Sequence, residues 1–124
     1  SSCYMLTFAI ISMTLALLLY TIGVWAEKLQ GVLRGWHLLF FFGGLIFDTL
    51  GTERMGQIAG GFSFNLHSVT GALALVLMLI HAVWALAVYL RKNQNALKTF
   101  HRFSLTVWFF WLTPYVLGLI IAMR

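Results

Sequence analysis

Four long apolar runs, separated by three short polar segments, set the pattern of the chain. The runs cover about 4–26, 34–50, 64–90 and 97–123. Each is long enough to cross a bilayer as a helix, which takes about 17–25 residues. Short connections between such helices favour antiparallel neighbours. The pattern therefore predicts an all-α membrane protein with one domain, 1–124, in which four transmembrane helices form an up-down bundle.

The composition agrees with a lipid-facing surface. Apolar residues make up 61% of the chain and charged residues 9%, whereas a soluble domain carries about 25% charged residues. The net charge is +5, but the basic residues cluster between the apolar runs. This placement is typical of loops that orient membrane spans, so the expected partner is the lipid bilayer and not nucleic acid.

The basic residues also predict an orientation. They are concentrated in the first and third connections, where they are Lys28, Arg34, Arg91, Lys92, Lys98 and Arg102. The middle connection, taken as a Gly-rich loop over 51–61, has only Arg54 beside Glu53. By the positive-inside rule the first and third connections are cytoplasmic. We expect a multi-pass protein of the cell (inner or plasma) membrane with both termini outside, although Arg124 weakly opposes this.

All four histidines, His37, His67, His81 and His101, fall within or at the ends of the predicted spans. Ionisable residues inside membranes are costly, so each is a candidate functional residue. His67 and His81 are 14 residues apart, which places them within about 40° of one helix face and about 21 Å apart in height. His81 therefore belongs with His37 and His101 in the inner half, and His67 lies alone near the outer surface.

Imidazoles from facing helices in an apolar core are the ligands that haem b takes. His81 is the first candidate for an axial ligand to the haem iron, because it faces a stripe of small residues. Its partner is either His101 or His37. Helices three and four are adjacent, which favours His101, whereas His37 and His101 match each other better in depth. Basic residues at the inner surface, Arg34, Lys98 and Arg102, are candidates to neutralise the propionates. Zinc or copper held by the three inner histidines is the alternative metal site.

The outer half contains a second pair of candidates. His67 could ligate a second haem opposite a non-histidine ligand, or it could pair with Asp48 at a proton-exchange or quinone site. A third interpretation is that Asp48 only bonds His67 or Arg54 and holds two helices together.

Several segments together resemble the HsmA-type family of small four-helix membrane proteins. The resemblance lies in 20–25 (YTIGVW), 36–38 (WHL), 48–52 (DTLGT), 64–67 (FNLH), 71–74 (GALA), 81–85 (HAVWA), 100–104 (FHRFS) and 111–115 (WLTPY). It covers nearly the whole chain and implies a small membrane haem protein. The architecture also resembles four-helix b-type cytochromes, which pass electrons between quinones and other acceptors, including superoxide.

We therefore expect a haem b membrane protein, an oxidoreductase of the b-type cytochrome kind, that carries out one-electron transfer. A small histidine-based transporter of metal ions or protons is the alternative, and a non-catalytic membrane subunit is the third hypothesis. The sequence leaves open whether one haem or two are bound, whether the chain forms a homo-oligomer, and what Cys3 does.

Overall fold

Four helices make up the computed structural model, which describes residues 2–61, 66–92 and 94–123. They are α1 (Ser2–Gln30), α2 (Gly35–Ala59), α3 (Leu66–Arg91) and α4 (Gln94–Met123). The all-helical fold and the number of helices confirm the expectation from the sequence. The side chain of Cys3, residues 64 and 65 of the family resemblance, and Arg124 all lie outside the described residues.

Two predicted helix boundaries are wrong, and both errors come from polar residues or glycine inside a helix. α1 continues past its expected end at 26, so that Glu27 lies within the helix. α2 continues through most of the segment that was predicted as a loop over 51–61. The reason is that Gly51 serves packing: a Cβ at this position would lie 2.5 Å from Met13 Sδ of α1.

The turn that ends α2 lies at Gly60 and Gly61, nine and ten residues after Gly51. Gly60 and Gly61 both have positive φ angles, of 79° and 120°. Their N–H groups donate to the carbonyls of Gln57 and Gly56 at 3.3 and 2.8 Å. Glycine adopts this left-handed geometry without a Cβ penalty, and the two bonds satisfy carbonyls at the end of the helix.

Packing between α1 and α2 is the most extensive in the bundle, followed by packing between α3 and α4. Along α1 and α2, Gly23 meets Phe41, Tyr20 meets Gly44, and Met13 meets Gly51. Residue numbers fall on α1 as they rise on α2, so these two helices run in opposite directions.

The same reversal relates α4 to both of its neighbours. Against α1, α4 places His101 beside Glu27, Trp108 beside Thr21 and Tyr115 beside Thr14. Against α3, Ser104 bonds His81 and Gly118 lies against His67.

Large aliphatic side chains cover the outside of the bundle, and small residues and aromatic rings fill its inside. Leu73, Val76, Leu79, Ile80 and Val83 of α3, for example, are each about half exposed. α1, α3 and α4 are long and apolar enough to cross a membrane. α2 is not among them, because its glycines, His37 and Asp48 lower its hydropathy.

Candidate functional site

Glu27 of α1 is fully buried and faces the imidazole of His101 on α4. Its Oε2 atom lies 2.7 Å from His101 Nδ1, which makes a hydrogen bond and, when the imidazole is protonated, an ion pair. The other carboxyl oxygen, Oε1, is buried without a hydrogen-bond partner among the described residues. Glu27 was not among the candidates from the sequence, because it follows directly on the predicted span over 4–26 and was expected to begin a loop.

A signal for the position of Glu27 does exist in the sequence. The buried residues of α1 recur at helical spacing on one face, as Ala9, Ser12, Ala16, Tyr20, Val24 and Glu27. Residues separated by three or four positions share a helix face. Continuing that face by one turn places the Glu27 carboxyl inside the bundle.

His37 is fully buried near the first turn of α2. Its Nδ1 atom accepts a hydrogen bond from the backbone N–H of Arg34 at 3.0 Å. Because the Nδ1 lone pair is used in this bond, the neutral ring carries its proton on Nε2. That Nε2 atom is buried and has no partner in the described part of the chain.

His81 of α3 is also fully buried, and aromatic rings surround it. Phe100 stacks on the imidazole with centroids 5.0 Å apart, and Phe41 meets it edge-on at 4.6 Å. Its Nε2 atom bonds Ser104 Oγ at 2.8 Å. Its Nδ1 atom is buried without a partner among the residues that the structure describes.

We call Glu27, His37, His81, His101 and Ser104 the Glu27 cluster. Three of its polar atoms are buried and unpartnered within the described chain: Glu27 Oε1, His37 Nε2 and His81 Nδ1. A buried polar atom without a hydrogen bond costs about 1–3 kcal/mol. Three such atoms at one end of a bundle therefore mark the cluster as the strongest candidate for a binding site.

The basic residues named as propionate partners lie at the same end of the bundle. Arg34, Lys98 and Arg102 are all exposed there. Arg34 lies three residues before the buried His37, and its backbone N–H bonds the His37 ring. The Glu27 cluster thus lies beneath an exposed, positively charged rim.

A zinc or copper site built from three inner histidines finds no support in the described residues. Across 2–61, 66–92 and 94–123, no three His, Cys, Asp or Glu side chains converge closely enough to hold a metal ion. A ring nitrogen of His101 bonds Glu27, and a ring nitrogen of His81 bonds Ser104. The third, His37, uses Nδ1 to accept the Arg34 N–H.

Asp48 of α2 lies in a second polar group, the Asp48 network, made of Tyr20, Asp48, Thr52 and Trp111. The Tyr20 hydroxyl and the Trp111 indole N–H each donate to Asp48 Oδ2 at 2.9 Å. The Thr52 hydroxyl donates to Oδ1 at 3.3 Å. The structure thus joins Asp48 to α1 and α4, and not to His67 as one interpretation of the sequence had it.

His67 lies near the start of α3, apart from both groups. Its ring packs against Gly118 of α4, where a Cβ would lie 3.1 Å from the His67 Cε1 atom. Its Nδ1 atom is buried and has no hydrogen-bond partner in the described residues.

Comparisons with known proteins add no relative. No family model, no curated protein and no solved structure matches this chain.

Proposed function

We propose that the chain is an HsmA-type integral membrane protein that binds haem b and transfers one electron at a time. The electron would pass between a quinone or quinol in the membrane and a small partner such as superoxide. The observation that carries the proposal is the Glu27 cluster, where buried imidazole nitrogens that have no partner among the described residues lie beside aromatic rings. Haem b would fit this cluster, because its iron binds neutral imidazole nitrogens and would supply one-electron chemistry.

His101 would hold the haem iron. A metal-binding histidine usually donates its second ring N–H to a carboxylate, which fixes the ring and makes the ligating nitrogen more basic. His101 has this arrangement, since Nδ1 faces the buried Glu27 carboxyl at 2.7 Å. With the proton on Nδ1, the lone pair of Nε2 is free to bind iron.

His81 fits the part of the second ligand. When Nε2–H donates to Ser104 Oγ, the lone pair of the buried Nδ1 atom has no other partner in the described chain. Either ring nitrogen of a neutral imidazole can bind a metal. The rings of Phe41 and Phe100 exclude water from this nitrogen and offer flat apolar surface to a macrocycle.

His37 fits a different part. Its Nδ1 lone pair accepts the Arg34 N–H, so its Nε2–H is a donor and not a ligand. A buried donor beneath the rim of Arg34, Lys98 and Arg102 suits a hydrogen bond to a propionate. His101, and not His37, is therefore the proposed second ligand beside His81.

A difference spectrum of the reduced and oxidised protein, purified after expression with ample haem, tests this function. We expect Soret and α bands of a b-type cytochrome. His81→Ala and His101→Ala each abolish them, while His37→Asn and the matched control His67→Asn retain them. Absence of the bands from the wild-type protein refutes haem binding. Loss of the bands in His37→Asn with retention in His101→Ala refutes the ligand assignment and leaves haem binding intact.

We also propose that all four helices cross the membrane in an up-down arrangement with both termini outside. The opposed directions of α1 against α2 and of α4 against α1 and α3 support this topology. α2, although less apolar, packs along the length of α1 from Phe41 to Gly51.

Two exposed positions at opposite ends of the bundle test the topology. Single cysteines at Lys28→Cys and Gln57→Cys, introduced after Cys3→Ser, are labelled in intact cells with a maleimide that cannot cross membranes. We expect labelling of the second variant only, and of both after the membrane is permeabilised. Labelling of both in intact cells contradicts four spans, and labelling of the first alone reverses the orientation.

The Glu27–His101 pair favours proton transport as a second candidate function. A carboxyl and an imidazole within hydrogen-bond distance, buried in an apolar bundle, can pass a proton between them. Under this function, protein in liposomes dissipates an imposed pH gradient without haem, and Glu27→Gln abolishes the flux. A proton flux equal to that of empty liposomes removes this candidate.

A further inference from the structure

Tyr20 is the one tyrosine whose hydroxyl is fully buried against a carboxylate in the described chain. The Tyr20 side chain is 0% exposed and Asp48 is 2% exposed. The phenol donates to Asp48 Oδ2 at 2.9 Å. Two further donors, Trp111 and Thr52, bond the same carboxylate. The indole N–H can only donate, and both hydroxyls can donate as well, so an ionised Asp48 carboxylate accepts all three hydrogen bonds.

In its ionised form, Asp48 is a negative charge inside the bundle with no cation beside it among the described residues. Asp48 lies 11 residues from the end of α2 at Ala59, a helical rise of about 16 Å. A buried charge is unfavourable unless it is paired or hydrogen-bonded, and here only neutral donors compensate it. A reaction that delivers a proton to Asp48 along the existing hydrogen bond removes this buried charge.

One-electron oxidation of Tyr20 is such a reaction. We propose that Tyr20 is a redox-active tyrosine and that Asp48 is its proton acceptor. With Asp48 ionised, the phenol loses one electron to a metal(III) complex, which is reduced to the metal(II) state, its O–H bond breaks, and the proton forms an O–H bond on Asp48 Oδ2. The products are a neutral tyrosyl radical and a neutral carboxylic acid, so the net charge of the pair rises from −1 to 0.

A chain of aromatic rings gives the electron a route out of the core. Tyr20 meets Trp111 edge-on with centroids 5.2 Å apart, and Trp111 stacks on Tyr115 at 5.6 Å with their planes 24° apart. Tyr115 is partly exposed. Rings in contact over this distance allow an oxidant at the bundle surface to take an electron from Tyr20 without touching it.

The glycine beneath Tyr20 fixes the geometry on which the proton transfer depends. A Cβ on Gly44 would overlap the Tyr20 ring, so the phenol lies directly on the backbone of α2. Asp48 is one turn further along the same helix. Because the Tyr20 ring of α1 is held against Gly44 of α2, its hydroxyl stays within hydrogen-bond distance of Asp48, the short distance that proton transfer requires.

This inference goes beyond haem binding and does not depend on it. The test uses the purified full chain without haem, in nanodiscs, oxidised by a flash-generated ruthenium(III) polypyridyl complex and frozen for electron paramagnetic resonance. We expect a neutral tyrosyl radical in the wild-type protein. Tyr20→Phe, which removes only the hydroxyl, abolishes it, and the control Tyr89→Phe, at a partly exposed tyrosine, leaves it unchanged.

Asp48→Asn tests the proton acceptor. Because a positioned proton acceptor contributes about 10²–10⁴-fold to a rate, we expect the radical yield to fall at least about tenfold. A yield equal to that of the wild type, or a radical that survives Tyr20→Phe, overturns the proposal, as does the absence of any tyrosyl radical in the wild type.

A measurement on the wild-type chain alone covers the case in which Asp48→Asn does not fold. High-field spectra of the radical in H2O and D2O report a hydrogen bond to the radical oxygen. We expect one exchangeable proton at hydrogen-bond distance, donated by the newly formed carboxylic acid. A radical without such a proton refutes transfer to Asp48.

Discussion

Replacing Gly44 with alanine should separate α1 from α2, although alanine is the better helix former. The added Cβ overlaps the Tyr20 ring and lies 2.5 Å from its Cδ1 atom. The ring cannot move aside freely, since its hydroxyl bonds Asp48 and its edge meets Trp111 at 5.2 Å. The helices must move apart or Tyr20 must leave its site.

The neighbouring glycine provides a matched control. A Cβ on Gly43 meets Leu19 Cδ1 at 3.6 Å, an ordinary van der Waals contact. Both variants gain the same helix propensity, about 1 kcal/mol for glycine to alanine, so it cancels in their difference. What remains is the overpacking at Gly44, about 1–3 kcal/mol, with a further cost of about 1.5–3 kcal/mol if the bond to Asp48 breaks.

We therefore expect Gly44→Ala to be less stable than Gly43→Ala by about 2 kcal/mol, near the middle of the overpacking range. The assay is reversible unfolding of the cofactor-free protein in mixed micelles by increasing fractions of dodecyl sulfate, followed by circular dichroism. In a Tyr20→Ala background the cost of Gly44→Ala should shrink, because the ring it collides with is gone. Equal stability of the two glycine variants would refute the close approach of α1 and α2 at this point.

Three further changes have defined outcomes. Trp111→Phe removes one N–H donor from the buried Asp48 carboxylate and should destabilise the fold by about 1–3 kcal/mol in the same unfolding assay; no loss would mean that the bond is absent. Ser104→Ala leaves His81 Nε2 without its partner and should cost a similar amount, about 1–3 kcal/mol, in the cofactor-free protein. Glu27→Gln keeps the shape of the side chain but removes the carboxylate, and should weaken haem binding about 10–100-fold in a titration with haem; an unchanged affinity would contradict its role behind the ligand.

The sequence predicts the helical fold well because the signal is local. Each apolar run satisfies its own backbone hydrogen bonds as a helix, whatever surrounds it. The errors come where one residue type has two uses. Glycine is typical of loops and a charged residue is typical of the end of a membrane span, yet Gly51 lies against Met13 and Glu27 against His101 in the structure.

For the histidines, the sequence predicts the position along the bundle but not the hydrogen-bond partner. Their spacing puts His37, His81 and His101 toward one end, and His67 toward the other. Their bonds differ, and spacing does not contain that information: His37 accepts a backbone N–H, His81 bonds Ser104, and His101 faces Glu27. Haem ligation by any of them stays a prediction.

The sequence by itself determined the number of helices, the apolar surface of the bundle and the small number of charged residues in the helices. Only the tertiary structure decided that Asp48 bonds Tyr20 and Trp111, and that Glu27 faces the core. The physical reason is the helical turn of about 100° per residue, which makes the partner of a side chain depend on each helix's rotation and register. Contacts such as Gly44 on Tyr20 set that rotation, and they join residues far apart in the chain.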